Sequence, residues 1–277
     1  MNPAPPPDWN PRDPQVLHDQ IAAYDAMRHR CPVAHSDYLW LSLFCHADVV
    51  RVLHDHATFS NGASNHLSIP NAMDPPEHTV YRRIVERYFA AGPMAAFEPV
   101  CQAISNALVS DLPRTECVEL MVGFAQPFAL QVQCAFMGWP DSLHEPLRQW
   151  IGKNHLATRA GDRSAMAQIA VEFDGHIKQQ LTVRRDAGAQ APDDVTTQLL
   201  HERIHGRALS DEEIVSIVRN WTVGELGTIA ASVGILVHYL ATHRGLQAEL
   251  RGQPGALPAA IDEILRLHPP LIANRRI

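Results

Sequence analysis

The spacing of apolar residues along the chain predicts a mainly helical protein with a minor β component. Apolar positions recur every three or four residues in several segments, which is the period of an amphipathic helix. These segments are 14–30, 46–55, 76–90, 94–110, 119–137, 142–157 and 164–186. The aromatic-rich stretch YLWLSLF at 38–44 predicts an edge strand. The turn formers of 61–75 predict a loop.

The longest predicted helix begins at Ser210 and continues to about Gly245. Ser210 and Glu213 have the spacing of a capping box, in which the two side chains bind the first free amides of the helix. About 33 residues at ~1.5 Å each give a rod of roughly 50 Å, long enough to cross a whole domain. After the breaker GQPGALP, a final predicted helix carries the sequence EILR.

The composition indicates a folded protein and argues against a nucleic-acid partner and a membrane span. With 277 residues and 46% hydrophobic content, the chain can form one large domain or two modest ones. The net charge of −7 argues against a nucleic-acid partner, because no basic surface is available to displace counterions from phosphates. The apolar run 229–237 is interrupted by Ser232 and Gly234, so we expect no membrane span.

The N-terminal residues and the cysteines indicate a cytoplasmic protein. The start, MNPAPPPDWNPRDP, has neither the basic nor the apolar region of a signal peptide, and we interpret 1–14 as a proline-rich arm. The five cysteines, at 31, 45, 101, 117 and 134, are odd in number and form no C-x-x-C pair. This pattern fits reduced thiols in a cytoplasm better than a set of disulfides.

Two glycines interrupt the longest helix near its middle. Gly224 and Gly227 each destabilise a helix by about 1 kcal/mol relative to alanine. Their presence in mid-helix therefore suggests a structural or functional role. Either another helix packs tightly there, or the backbone is bared so that a flat ligand can lie against it. Thr228 can bond back to a carbonyl or present its hydroxyl to a ligand. Glu225 precedes Thr228 by three residues, on nearly the same face.

Two pairs of charged residues have helical spacing. His78 and Arg82 are four residues apart and project from one face, where two donors suit a ligand with carboxylates; a solvated helix face is the alternative. Glu263 and Arg266 are three residues apart. If this pair is exposed it contributes little to stability, whereas a buried pair would be strongly destabilising to break.

A competing motif is HERIH at 201–205. It matches H-E-x-x-H, which on a helix can bind zinc with Glu202 as general base. Glu225, 20 residues beyond His205, is a tolerable third ligand. A chain with 16 histidines also produces such a match by accident, and solvated histidines at a helix end are the interpretation that we favour.

The order and separation of three motifs, DPPEHTVYRR, VGELGT and EILRLHPPLIANRR, resemble the cytochrome P450 family. HATFSN, FMGWP and the segment from DDVTTQLL to GRALSDEEIVSIV agree with this resemblance. It covers the chain from about residue 15 onward and implies a P450-like helical fold, with 15–277 as a partial P450 domain truncated at its C-terminal end. Glu263 and Arg266 match the pair that stabilises the core on the proximal side of the haem.

The resemblance implies which residues hold the haem. His78 and Arg82 match the residues that bind one haem propionate. Arg276, ten residues after Arg266, matches the arginine that binds the other propionate, with Arg275 as the less favoured neighbour. The cofactor expected from the family is haem b.

The resemblance also implies which residues serve oxygen chemistry. Thr228 matches the long-helix threonine that hydrogen-bonds dioxygen and assists proton delivery, and Gly224 and Gly227 belong to the same stretch of helix. The family usually has an acid directly before this threonine, where this chain has Gly227. Proton delivery is therefore expected to run through Glu225 or through water.

The family's iron ligand has no counterpart among the residues of this sequence. That ligand is a cysteine thiolate in the pattern F-x-x-G-x-x-x-C-x-G, downstream of E-x-x-R, and it pushes electron density onto iron so that the O–O bond can break. All five cysteines precede the long helix, and Cys134, in LQVQCAFMGWP, is interpreted as a helix-core residue. Haem could still be held by its propionates and apolar contacts, without oxygen activation of the family's type.

The leading hypothesis is a haem-dependent monooxygenase that inserts one atom of O2 into a small organic substrate. The resemblance implies electrons from NAD(P)H through a ferredoxin-type or flavodoxin-type partner, or through a fused reductase. One alternative is a catalytically silent, truncated P450-like scaffold. The other is a zinc metallohydrolase that acts through HERIH.

Overall fold

The computed structural model describes residues 8–63, 66–271, 273–274 and 276–277. They divide into a first unit, residues 8–63 with Arg276–Ile277, and a second unit made of the residues between. The first unit contains α1 (Pro14–His18), α2 (Gln20–Arg30), β1 (Val33–Ser36), β2 (Trp40–Leu43) and α3 (His46–His54). The predicted domain boundary at residue 14 stays a prediction.

The first unit is organised around Trp9. The Trp9 ring lies edge-on to Tyr24 and Phe44, with ring centroids 5.8 and 4.9 Å away. The strand predicted at 38–44 is confirmed as β2, which pairs antiparallel with β1. The helix predicted over 14–30 is divided at Asp19, because this residue leaves helical geometry and its side chain accepts a hydrogen bond from the amide of Ala22 at 3.0 Å.

The second unit is mainly helical, as predicted. Its described elements are α4 (Glu77–Tyr88), α5 (Ala91–Asp111), α6 (Gln126–Met137), α7 (His144–Ala160), α8 (Arg163–Ala187), α9 (Val195–His201), β3 (Arg203–Ile204), β4 (Arg207–Ala208), α10 (Asp211–Thr242), α11 (Arg244–Gly252) and α12 (Leu257–Leu267). A turn of π-helix over Met121–Ala125 leads into α6, and β3 and β4 pair as a hairpin. Its core lies where the first half of α10 packs against α6 and α8.

Helix α10 begins where the sequence predicts and ends slightly earlier. The hydroxyl of Ser210 accepts from the amide of Glu213 at 3.3 Å, and the Glu213 carboxylate accepts from the amide of Ser210 at 2.7 Å, so the capping box is confirmed. Ile214, Ile217 and Val218 are fully buried in the core. The helix ends at Thr242 because His243 leaves helical geometry, and α11 begins directly afterwards.

Helix α10 is also long and apolar enough, by length and composition, to cross a membrane. Its most apolar 18-residue window has a mean hydropathy of 1.4. Only 12% of that window is buried, whereas the first half of α10 lies in the core. The second half is partly exposed, so its surface is open to a ligand or to further protein.

A buried ion pair ties α8 to the start of α9. The guanidinium of Arg184, 3% exposed, binds both carboxylate oxygens of Asp194, with the shortest contact at 2.7 Å. Arg184 also donates to the carbonyl of Gly138 at 2.6 Å and to Gln180. Asp194 in turn accepts from the amide of Thr197 at 2.8 Å and so caps α9. One carboxylate therefore serves as counter-ion and as helix cap.

Candidate functional site

The middle of α10 has a bare backbone surface. A Cβ atom placed on Gly224 or on Gly227 would meet no atom of another part of the described chain within 4 Å. Gly234, further along the helix, differs, since a Cβ there would lie 2.5 Å from the sulfur of Met121. Tight packing of another helix is therefore the wrong explanation for Gly224 and Gly227 within the described residues. The remaining interpretation, a flat ligand against the backbone, fits the open space.

Thr228 adjoins this bare surface. Its hydroxyl donates to the carbonyl of Gly224 at 2.9 Å, one turn earlier in α10. The back-bonded arrangement predicted as one option for a mid-helix threonine is thus the one present. The side chain of Glu225, the predicted acid, lies outside the described residues.

Helix α4 carries the predicted anion-binding pair. Its inner face is buried through Tyr81, Ile84, Val85 and Tyr88. His78 is half-buried, while Arg82 is exposed and bound to Glu86 one turn later at 2.8 Å. The helical spacing of His78 and Arg82 is confirmed, because both lie within α4. To bind a ligand carboxylate, Arg82 would exchange its bond to Glu86.

A hydrogen-bonded cluster joins the start of α4 to the start of α10. The hydroxyl of Tyr81 donates to the carboxylate of Glu213, which is only 8% exposed. Arg207, from β4, binds both oxygens of Glu213 at 2.7 Å. The Arg207 guanidinium, with help from the Tyr81 hydroxyl, lowers the pKa of Glu213 to about 2. Burial, followed by the bond to Glu213, raises the pKa of Tyr81 to about 12. At neutral pH, a neutral phenol therefore donates to a carboxylate.

The lowered pKa of Glu213 predicts a loss of stability in acid. Since the folded pKa of about 2 is below the ordinary value of 4.5, ionised Glu213 contributes its full stability above pH 4.5. This contribution disappears as the pH falls from 4.5 toward about 2. The test is urea unfolding at neutral pH and at several pH values between 4.5 and about 2. At neutral pH, we expect Glu213→Gln to have a lower free energy of unfolding than the unmodified chain. As the pH falls, the free energy of unfolding of this variant should decrease less steeply.

Glu145 provides the control for this acid titration. Its pKa is also lowered to about 2, by hydrogen bonds from Arg148 and Gln149, but the group is fully exposed. Solvent screens such surface pairs, so Glu145→Gln should leave the acid profile nearly unchanged. An equal effect of Glu145→Gln and Glu213→Gln would contradict the role of the buried cluster.

A second cluster joins the end of α4 to the residue after α9. The hydroxyl of Tyr88 donates to Glu202 at 2.9 Å, and Arg87 binds the other oxygen of Glu202 at 2.5 Å. The ring of Tyr88 also contacts Trp221 of α10, with centroids 5.4 Å apart. Two tyrosine hydroxyls, seven residues apart, thus attach α4 to carboxylates on either side of the β3–β4 hairpin.

The zinc hypothesis for HERIH does not meet its structural requirement. His201 is the last residue of α9, and the chain then enters the hairpin, so His201 and His205 do not share a helix face. His205 and Gly206 have φ values of +49° and +81°, which form the tight turn of that hairpin. Glu202 is bound to Tyr88 and Arg87. Among the described residues, no group of three potential ligands could hold a metal ion.

The remaining predicted residues lie in different surroundings. Glu263 and Arg266 of α12 form a bidentate ion pair at 2.7 and 2.8 Å. Their side chains are 58% and 67% exposed, so the described chain does not bury the pair in a core. Arg276 is half-buried in the first unit, beside the backbone pairing of Ser60 with Ile277. Arg275 lies outside the described residues.

Two of the cysteines, Cys134 and Cys101, lie where burial favours the neutral thiol. Cys134 is 1% exposed in α6, and burial raises its pKa to about 12. Burial also raises the pKa of Cys101. Cys134 is therefore a core residue, as the sequence predicts, and it is not poised to ionise as an iron ligand.

A cavity of about 650 Å³ lies beside the end of α4. It is bounded by the end of α4, the start of α5, α6 and α9, with Tyr88, Phe97, Phe136 and Glu202 among its walls. Of the described residues predicted to bind haem or to serve oxygen chemistry, none lines it. Its walls provide no evidence for the predicted site.

Comparison with known proteins identifies relatives of similar sequence and relatives of similar structure. No family model matches the chain. A probable cytochrome P450 127A1 of Sinorhizobium fredii is 33% identical over 231 residues, which are 80% of this chain and 54% of that protein. Erythromycin C-12 hydroxylase of Saccharopolyspora erythraea is 28% identical over 275 residues, covering 94% of this chain and 68% of the enzyme.

The fold leads to the same group. The structure of the open, histidine-tagged cytochrome P450 EryK from S. erythraea superimposes with a TM-score of 0.80 at 26% identity. The match covers 95% of this chain and 67% of that one. The chain thus spans between about half and two thirds of the length of these relatives. The mainly helical fold and the agreement of sequence and structural relatives together show that the chain belongs to the cytochrome P450 family.

Proposed function

We propose that the chain forms the oxygen-side part of a haem-dependent monooxygenase, which inserts one oxygen atom from O2 into a small organic substrate. The observation that carries this proposal is the bare surface of α10 at Gly224 and Gly227, beside the hydroxyl of Thr228. Glycines without neighbours in mid-helix destabilise the helix, and a flat cofactor against the backbone would explain their presence. Similarity to P450 hydroxylases supports this choice of cofactor.

The residues present fit part of a haem site. The open surface at Gly224 and Gly227 would face the ring, and His78 and Arg82 would hold one propionate by charge-assisted hydrogen bonds. Arg276 would hold the second propionate. Bound haem supplies the iron centre at which dioxygen is reduced and split. The thiolate that would bind the haem iron is not assigned, because none of the five cysteines lies in the family's ligand pattern.

Thr228 would donate a proton toward the open surface, and Glu225 would replace it. The Oγ1 proton of Thr228 is held by the carbonyl of Gly224 at 2.9 Å. Rotation of this side chain would move the proton from that carbonyl toward the open surface, at a cost of about 1 kcal/mol for one hydrogen bond. Glu225, one turn earlier on α10, would return a proton to Oγ1, directly or through water. Gly227 at the usual acid position leaves this task to Glu225.

Electrons would come from NAD(P)H through a partner of ferredoxin or flavodoxin type, or through a fused reductase. The bacterial origin of the relatives supports a water-soluble protein, and we propose the cytoplasm as its location. The bare surface at Gly224 and Gly227 is then a cofactor-facing surface, in place of a membrane-facing one.

Haem titration tests the proposal. Adding haem to the purified 277-residue chain should give a saturable Soret band, and replacing both His78 and Arg82 by alanine should weaken binding about tenfold or more, because two charge-assisted contacts are lost. His144 and Arg148 have the same four-residue spacing on α7 and make a matched control pair. No Soret band would refute haem binding. A thiolate-type band of the reduced, carbon-monoxide-bound form would contradict the missing ligand.

A further inference from the structure

The attachment of α4 to the rest of the second unit depends on two tyrosine hydroxyls. Tyr81 donates to Glu213 and Tyr88 donates to Glu202. Each glutamate is also bound by an arginine, Arg207 or Arg87, so each hydroxyl meets a carboxylate that is already charged and fixed. Hydrogen bonds to ionised acceptors are about twice as strong as neutral ones. Phenylalanine would fill the same space without these bonds.

The spacing of the two tyrosines restricts rotation of α4. Residues seven apart differ by only about 20° around a helix, so the two bonds lie on one line along α4. On the same scale, His78 and Arg82 lie about 60° and 100° to one side of that line. A roll of about 30° would move a side-chain tip by roughly 3 Å, the length of one hydrogen bond.

Tyr81 and Tyr88 both contact α10 before its bare surface begins. Tyr81 meets α10 at Glu213, and Tyr88 meets it at Trp221, before Gly224. Eleven residues separate Glu213 from Gly224, a rise of roughly 16 Å along the helix. The orientation of His78 and Arg82 relative to the bare surface therefore depends on where α4 is fixed to α10 and to the hairpin.

We infer that Tyr81 and Tyr88 are positioning residues, whose bonds to Glu213 and Glu202 fix the rotation of α4 and hold His78 and Arg82 toward the haem edge. This inference rests on the proposed function. It gives Glu202 of HERIH a different role from the general base of a zinc enzyme. Glu202 is a fixed acceptor for Tyr88.

The test compares Tyr81→Phe, Tyr88→Phe and the double variant with Tyr239→Phe. Tyr239 is in the second half of α10, stacked on His243, and contacts neither glutamate of the two clusters. Two quantities are measured on the 277-residue chain: amide exchange over 77–88 without haem, and the Kd for haem from absorption. We expect faster exchange in α4, a haem Kd raised about threefold by each single change and about tenfold by both, and no change for Tyr239→Phe.

Conservative replacement separates positioning from mere packing. Glu202→Gln keeps an acceptor oxygen for Tyr88 and should retain more haem affinity than Glu202→Ala. Faster exchange in α4 with an unchanged haem Kd would overturn the positioning role. Unchanged exchange with normal haem uptake would overturn the inference alone. No haem uptake by the unmodified chain would overturn the proposed function and, with it, this inference.

Discussion

Asp194→Ala is expected to lower the free energy of unfolding by about 3 to 5 kcal/mol, because it leaves the guanidinium of Arg184 buried without its counter-ion. Arg184 is 3% exposed and Asp194 is 12% exposed, so water cannot replace the lost carboxylate without opening the structure. The same change removes the cap from α9, since Asp194 accepts from the amide of Thr197. Urea unfolding followed by circular dichroism measures the loss.

An exposed ion pair is the control for this prediction. Lys153 and Glu172 join α7 to α8 at 2.9 Å with side chains 53% and 39% exposed, so Glu172→Ala should lower stability by less than about 1 kcal/mol. Asp194→Asn keeps an oxygen for the cap and should fall between the two alanine variants. Similar losses for Asp194→Ala and Glu172→Ala would mean that the buried charge is not the cause.

Gly138 shows how closely this cluster is packed. It ends α6 with φ +70°, and a Cβ there would overlap the carboxyl group of Asp194. Its carbonyl accepts from Arg184. The sequence FMGWP marks the helix end, but the approach of Asp194 from 56 residues further along cannot be read from local pattern.

The elements with strong local signals could be predicted from sequence. Ser210 and Glu213 fix the start of α10, because a capping box depends only on residues within one turn. The end of α10 was less predictable, since apolar periodicity continues into α11 across the break at His243. Periodicity reports which face is apolar and does not report one residue of altered backbone.

The HERIH prediction depended on a helix that ends too soon. Gly206 follows the motif directly, and glycine favours a turn with positive φ, as found here at φ +81°. The hairpin of Arg203–Ile204 with Arg207–Ala208 is only two residues per strand, too short to give a strand pattern. The H-E-x-x-H zinc motif requires all five of its residues in one helix, and in HERIH only His201 is helical.

The tyrosine contacts were not predictable from the residues alone. Tyr81 and Tyr88 have the spacing of core residues, and their rings are indeed buried. Their hydroxyls bind glutamates 132 and 114 residues away in the chain, which no local pattern indicates. The glycines of α10 are a similar case, because both tight packing and open space are compatible with glycine until the neighbours are known.

The bare surface of α10 predicts substitutions that stabilise the protein and prevent haem binding. Gly224→Leu and Gly227→Leu place a good helix former where a Cβ meets no atom within 4 Å, so stability should rise by up to about 1 kcal/mol. The same side chain would occupy the space proposed for the haem ring. Because overpacking a close contact costs about 1 to 3 kcal/mol, the haem Kd should rise about tenfold to a hundredfold.

Gly152→Leu, at an exposed position of α7, is the matched control. A Cβ at Gly152 also meets no atom within 4 Å, so this variant should gain comparable stability with an unchanged haem Kd. Urea unfolding and haem titration of the three variants separate the two effects. Loss of binding cannot be attributed to unfolding when the variant is more stable than the unmodified chain. If Gly224→Leu and Gly227→Leu bind haem as the unmodified chain does, the cofactor lies elsewhere, and the open glycines require another explanation.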